Sequence, residues 1–290
     1  MLFRLFLLTL LALWLPVVAR DDDEERWVDL ERAVDTTGFP MVFRDSLRTA
    51  HEVPLDKGMR TVESPVLGRP EKLVLRAKWG FIPAGYGILT MRPDSLAGVA
   101  HLTATAVTNR FIGALYKVQD YIRTTTSLTG LYPVFYEEHI KEGRYERDRW
   151  ALYDHANGVV YSSRKKHPRV EAPRFVMDFL TSLYYVRSRP LMPGDTFSVT
   201  TYVQGKVYPV KFRCTGKEVV KTDAGEFDCV MVEPTLVGSG RISRRDRLTL
   251  WLTDDERHML VKVKSKINVG SVNAELIYYE VDGVAHGKDR

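Results

Sequence analysis

Cysteine is almost missing from this chain. Cys214 and Cys229 are its only two in 290 residues, so at most one disulfide can form. The strand from Val207 to Thr222 is expected to turn at Asp223-Ala224-Gly225 and return from Glu226, which sets Glu218, not Cys214, opposite Cys229. The thiols then share a face about four residues out of register, on the order of 13 Å apart and beyond the ~7 Å limit between Cα atoms of a disulfide. Two free buried thiols are the expectation, and only a second turn at Thr215-Gly216 restores the bridge.

Charge of one sign is equally scarce. Against 42 basic residues stand 37 acidic ones, a net +5 spread over the whole length. Such a small excess reads as a mixed, solvated surface. The short runs Arg164-Lys165-Lys166 and Arg244-Arg245 lack an aromatic stacking platform, so no nucleic-acid partner is expected. Catalytic signatures are missing too. There is no GxSxG, and Gly238-Ser239-Gly240 has neither a strand-to-helix context nor a nearby histidine to act as base. The glycines between Gly80 and Gly87 sit in a hairpin, not ahead of a helix, and so cannot cradle a phosphate.

Long apolar runs are confined to the start. Met1 and Arg4 open a basic segment, Leu5 to Val18 is apolar but for Thr9, and Val17-Val18-Ala19 offers small residues where a signal peptidase cuts. A signal peptide over residues 1–19 is expected, with the mature chain starting at Arg20 in the periplasm or outside the cell. The run is shorter than the ~20 residues of a membrane span and carries Pro16, so no stable span is expected after cleavage. No cysteine follows the cut, which argues against a lipid-anchored amino terminus.

What is present is ordinary globular composition, 44% hydrophobic and 27% charged, enough for a sizeable core. Residues 20–71 hold the acidic run Asp21 to Glu25 and then a stretch broken by Gly38, Pro40, Pro54, Gly58, Pro65, Gly68 and Pro70. They read as an irregular extension. From Lys72 the pattern changes to alternation: Leu73, Leu75, Ala77 and Trp79 on one face, later Phe197, Val199, Thr201 and Val203, then Met259, Val261 and Val263. Turn signals recur at Pro83-Ala84-Gly85, Glu142-Gly143, Asn157-Gly158, Gln204-Gly205, Asp223-Ala224-Gly225, Thr253-Asp254-Asp255 and Asn268-Val269-Gly270. The fold predicted for residues 72–281 is all-β, a curved antiparallel meander of about twelve strands closing toward a barrel. One covering helix is expected near 174–187, where Phe175, Met177, Phe179, Leu180, Leu183 and Tyr184 suit a helix better than a strand. Residues 282–290 read as a tail.

Five segments carry a resemblance to a known family. They are Ala77-Lys78-Trp79-Gly80-Phe81-Ile82-Pro83-Ala84-Gly85, the stretch Asp178 to Arg187 with Ser182-Leu183-Tyr184-Tyr185-Val186-Arg187, Gly225-Glu226-Phe227-Asp228-Cys229, Leu250-Trp251-Leu252-Thr253-Asp254-Asp255, and Gly270-Ser271-Val272-Asn273-Ala274-Glu275-Leu276. In this order the chain resembles the domain of unknown function 3108, a group of secreted bacterial proteins. The resemblance implies an all-β, curved antiparallel architecture and no activity. Here the domain opens on Arg69-Pro70-Glu71-Lys72 instead of the family's usual acidic residue and apolar run.

Candidate sites follow from residue type. Asp254-Asp255-Glu256 with His258 is the densest group of metal-ligating side chains, but it sits where a hairpin tip is expected. Glu137 and His139 can share a strand face, yet two ligands are too few, and Asp154-His155 reads as a turn. No metal or cofactor is expected. The aromatic residues are the remaining lead, because Trp79, Phe81, Tyr86, Tyr121, Trp150, Phe179, Tyr184, Tyr185 and Trp251 either fill a curved sheet as core or line a pocket for an acyl chain. The binding set expected on the second reading is Trp79, Tyr121, Trp150, Tyr184, Tyr185, Arg187 and Trp251. Arg187 closes the helix, so its guanidinium either caps the last carbonyls, enters the sheet to meet a carboxylate, or anchors a ligand. The function expected is a non-enzymatic envelope protein binding a lipid-like ligand or a partner on its concave sheet. The alternative is a hydrolase of a cell-envelope polymer, in which Asp178, Arg187, Asp254 or Asp255 converge.

Overall fold

Two meanders, joined where the first strand lies beside the fourteenth, build a single antiparallel sheet in the computed structural model, which describes residues 60–62, 66–237, 248–266 and 271–287. The predicted signal peptide, most of the predicted extension, Gly238-Ser239-Gly240, Arg244-Arg245 and the turn at Asn268-Val269-Gly270 lie outside the described residues. In chain order the first eight strands are β1 (Glu71–Trp79), β2 (Ile82–Asp94), β3 (Val99–Thr108), β4 (Val118–Ser127), β5 (Pro133–Glu142), β6 (Tyr145–Asp154), β7 (Val159–Ser162) and β8 (Arg169–Glu171). A short helix α1 (Arg110–Leu115) links β3 to β4, and α2 (Phe179–Arg187) follows β8. The second meander is β9 (Thr196–Val203), β10 (Lys206–Thr222), β11 (Gly225–Leu236), β12 (Leu248–Thr253), β13 (Leu260–Lys266) and β14 (Ser271–Val281), with β15 (Val284–Gly287) beyond it.

The strands run in space from β8 back to β1, then β14 down to β9, and β15 shares an edge of β14 with β13. Strands adjacent in sequence therefore pair, except that β1 takes β14, Glu71 opposite Val281 and Trp79 opposite Val272. The chain enters at the middle of the sheet, works out to one edge, and crosses by α2 to the other. That crossing curls the sheet. The segment before α2 adds a rung to β9, with Met177 N–H donating to Thr200 O and Tyr202 N–H to Met177 O, each at 2.8 Å. Tyr153 of β6 meets Tyr202 of β9 edge to face with centroids 6.0 Å apart. The two outer edges approach without pairing, so the barrel curls but stays open at a seam. The core lies on the concave side: Leu73, Leu75, Leu89, Leu102 and Ile122 from the first meander share one apolar cluster with Val230, Leu250, Leu252, Val261 and Val263 from the second.

Four expectations need correction. Fifteen strands, not about twelve, are formed among the described residues, because short pieces such as β7, β8 and β15 lack an alternating pattern long enough to read. The helix begins at Phe179, not near Arg174. Asp178 is its N-cap and accepts the Thr181 amide at 2.8 Å, while Phe175 takes a positive φ of 62° that no helix allows. The six-residue α1 was not anticipated at all; Asn109 caps it through the Ile112 amide at 2.9 Å. The first hairpin turns at Gly80 and Phe81, not at Pro83-Ala84-Gly85, which lies inside β2. Gly80 supplies the positive φ of 59°, and Gly85 serves close approach: a Cβ there would stand 2.0 Å from Val107 O on β3. The cysteine register stands as expected. Glu218 faces Cys229, a bulge separates Cys214 from Gly216, and both thiols are free and buried. Burial and then the Asp228 and Glu218 carboxylates push the Cys229 thiol up to about 12.

Candidate functional site

One end of the curled sheet is stoppered by α2. Its apolar residues Leu180, Leu183, Tyr184 and Val186 are buried against the concave face, and its amino terminus is fixed by polar groups that are buried too. Both carboxylate oxygens of Asp178 are engaged by Thr181, through N–H at 2.8 Å and Oγ1–H at 3.1 Å. Burial still raises that carboxyl to about 6, since those hydrogen bonds only partly offset the lost hydration. At the other terminus Arg187 turns inward and is 0% exposed. It meets Glu71 at the start of β1 in a two-point pair, Nη1 to Oε1 at 2.8 Å and Nη2 to Oε2 at 2.6 Å. Its Nε donates to His258 O at 2.8 Å, and His258 Nδ1–H donates back to Arg187 O at 2.8 Å. Tyr184 completes the group, its hydroxyl on Glu71 at 3.2 Å and its ring 4.7 Å from the guanidinium carbon. Of the roles open to Arg187, the structure realises the meeting with a carboxylate, and burial opposes its charge while Glu71 holds it.

Beside this stopper the concave side is hollow. A cavity of about 160 Å³ lies among Leu89, Ile122, Leu183, Phe212, Leu250 and Val263, and its wall extends to Leu236, Leu248 and Ser265. Register places it along the barrel: Leu248 pairs with Ser265, Ser265 with Val272, and Val272 with Trp79, so the wall reaches the end of β1 remote from Glu71. At the seam the lining becomes polar, with Glu138, Arg149, Ser162, Arg164, Tyr202 and Gln204. The loop after β7 crosses there. It is tied to β6 by Trp150 N–H on Ser163 Oγ at 3.0 Å, and His167 lies against Gly205 in the β9–β10 turn. The hollow is apolar along most of its length and polar where it meets the seam.

The residues singled out from sequence do not converge. Trp150 lines the cavity, and Phe179 of the wider aromatic group joins it. Tyr121 neighbours the lining residue Ile122 on β4 and so faces the opposite side, its ring 6.2 Å from His139. Trp251 likewise alternates with Leu250 and donates its indole N–H to Glu218 at 2.9 Å. Tyr184 and Arg187 belong to the Glu71 group, Tyr185 lies under the Arg60 guanidinium at 4.9 Å, and Trp79 is half-buried beside the first hairpin. Phe81 is 89% exposed at the hairpin tip. The carboxylates of the hydrolase alternative are engaged separately: Asp254 with Lys217 at 2.5 Å, and Asp255 with Thr253 Oγ1 and the amides of Arg257 and His258. No group of three or more His, Cys, Asp and Glu side chains that could hold a metal ion occurs among the described residues, nor does any helix long and apolar enough to cross a membrane. Sequence reading missed the aliphatic lining and the polar seam. Alternation marked their faces as inward, but nothing local distinguishes a hollow layer from a filled one.

A curled antiparallel sheet around an apolar hollow, open at one seam and stoppered by a helix, defines a β-barrel-like protein. The chain belongs to the protein family of unknown function DUF3108, whose model matches residues 75–277. It is similar to the crystal structure of a β-barrel-like protein of the domain of unknown function DUF1849 from Brucella abortus, 10% identical, covering 77% of this chain and 99% of that one at a TM-score of 0.50. A DUF1089 family protein from Pseudomonas aeruginosa is also 10% identical, covering 71% of this chain and 92% of that one at a TM-score of 0.30. No curated protein matches the sequence.

Proposed function

We propose that this is an exported cell-envelope protein that holds a hydrophobic, lipid-like ligand inside its curled sheet and performs no catalysis. The observation that carries the reading is the cavity of about 160 Å³ walled by Leu89, Ile122, Phe212, Leu250 and Val263. A well-packed core leaves few voids larger than a water molecule, and a dry apolar cavity near 150 Å³ is already enough to take up a small hydrocarbon. The amino-terminal sequence supports export. Solvent extraction of the purified protein followed by mass spectrometry is the test. Recovery of a lipid is expected, and its loss is expected in Leu250→Trp, where the larger side chain fills the hollow. Extracts without lipid, together with turnover of peptidoglycan or envelope polysaccharide, would overturn the reading in favour of the hydrolase.

A further inference from the structure

Where the cavity reaches the seam, hydrogen-bond donors outnumber acceptors. Tyr202 Oη, Gln204 Nε2, and the Nε and Nη1 of Arg164 are buried atoms without a hydrogen-bond partner among the described residues, and all three side chains line the cavity. Tyr202 is only 8% exposed. Its hydroxyl therefore has little access to bulk water, and an unsatisfied buried polar group is costly unless something meets it. The charges are unbalanced in the same sense. Glu138 already accepts from Tyr136 Oη at 2.8 Å and lies 2.9 Å from Arg147 Nε, while Arg149 stands 3.8 Å away. One occupied carboxylate thus serves both Arg147 and Arg149, and the Arg164 guanidinium adds a further positive charge that acts on Arg149. Asp178, the other acidic group on the lining, has both oxygens taken by Thr181. Burial, then the Arg147 and Arg164 charges, lower the affinity of Arg149 for its proton.

These groups meet because of the topology. Arg149 lies on β6 and Arg164 on the loop tied to it at Trp150, while Tyr202 and Gln204 come from the end of β9, which that loop touches through His167 and Gly205. Two edges that would have paired in a closed barrel instead present side chains to a shared gap.

We infer that the ligand is an amphiphile with an anionic head, its chain among the aliphatic side chains of β10 to β13 and its carboxylate or phosphate against Arg149, Arg164, Tyr202 and Gln204. This rests on the reading of the cavity as a ligand site and adds the chemical class. A carboxylate or phosphate accepts several hydrogen bonds at once and suits the guanidinium fork; a neutral hydroxyl or a cationic head leaves the excess charge uncompensated.

Binding of palmitate, hexadecyl phosphate, hexadecanol and hexadecyltrimethylammonium to the purified, delipidated protein tests the inference, with inorganic phosphate alone as a fifth probe. Palmitate and hexadecyl phosphate are expected to bind roughly ten- to a hundredfold more tightly than hexadecanol, the scale of one or two charge-assisted hydrogen bonds. Arg164→Gln should remove most of that preference and leave hexadecanol affinity unchanged. Tyr202→Phe deletes a hydroxyl that no group among the described residues uses, so it should melt no lower than the parent and still weaken palmitate binding severalfold. It keeps the test decisive if Arg164→Gln does not fold. Equal affinity for palmitate and hexadecanol, unchanged in Tyr202→Phe, would overturn the anionic head while leaving an apolar ligand site standing. Inorganic phosphate binding as tightly as hexadecyl phosphate would overturn the amphiphile in favour of a free anion. Failure of every long-chain probe would remove the ligand-site reading itself.

Discussion

Removing Arg187 should expose how much of this fold hangs on one buried pair. Arg187→Ala leaves the Glu71 carboxylate, 7% exposed, without either of its guanidinium contacts, and leaves His258 O without the donor from Nε. Tyr184 Oη remains on Glu71 at 3.2 Å, a single neutral donor for an ion that had two charged ones. Breaking a buried pair in this way costs about 3 to 5 kcal/mol, mostly as the penalty for the stranded charge. For a domain of this size that corresponds to a fall in Tm of roughly 6 to 20 °C. Because the pair's own desolvation is also expensive, Glu71→Leu combined with Arg187→Met should recover most of the loss. Glu71→Leu alone, Arg187→Met alone and the double, compared by urea denaturation, form a cycle whose coupling energy isolates the pair. A loss below about 1 kcal/mol for Arg187→Ala, the level of an exposed ion pair, would refute the reasoning. So would singles whose effects simply add.

Other outcomes follow from buried titrating groups and from close backbone contact. Burial, reinforced by Glu142, raises the Asp120 carboxyl to about 8, so the folded state keeps a proton that the unfolded state releases above about pH 4. Stability should decline between those values, and Asp120→Asn, which keeps an acceptor for the Lys141 amide, should be more stable by a few kcal/mol at pH 9 and little changed at pH 4. Parallel pH profiles from urea denaturation would contradict this. His155 behaves oppositely: it is buried, its Nε2–H donates to Pro133 O at 2.7 Å and its Nδ1 accepts from Phe175 N–H at 3.1 Å, and burial lowers it to about 4. The unfolded chain takes up that proton first, so about 3 kcal/mol of stability should disappear as pH falls from 6.5 to 4. An NMR titration of the imidazole with its midpoint above 6 would show the ring is not held neutral. Gly85→Ala should cost about 1 to 3 kcal/mol through its clash with Val107 O, whereas Gly87→Ala, with nothing within 4 Å of its Cβ, should be nearly neutral in thermal melting.

Local pattern was enough for the class of fold. Alternation along Leu73 to Trp79 and Phe197 to Val203, with turn residues such as Gln204-Gly205 and Asp223-Ala224-Gly225 between strands, specifies antiparallel hairpins, because side-chain period and turn chemistry are local properties. The pairing of Glu218 with Cys229 is likewise legible, since a two-residue turn sets the register of its own hairpin. Long-range pairing was not legible: that β1 lies beside β14, or that Met177 adds a rung to β9, depends on contacts about two hundred residues apart in one case and on an irregular segment in the other. The same holds for the site. Arg187 announced itself as a cation at a helix end, but Glu71, 116 residues earlier, is its partner only because α2 stoppers the curl at the start of β1. Trp150 was legible as an inward aromatic, whereas the hollow beside it and the donors of Arg164, Tyr202 and Gln204 exist because two sheet edges approach without pairing. Composition and periodicity decide which side chains face inward; only the closure of the sheet decides whether they meet.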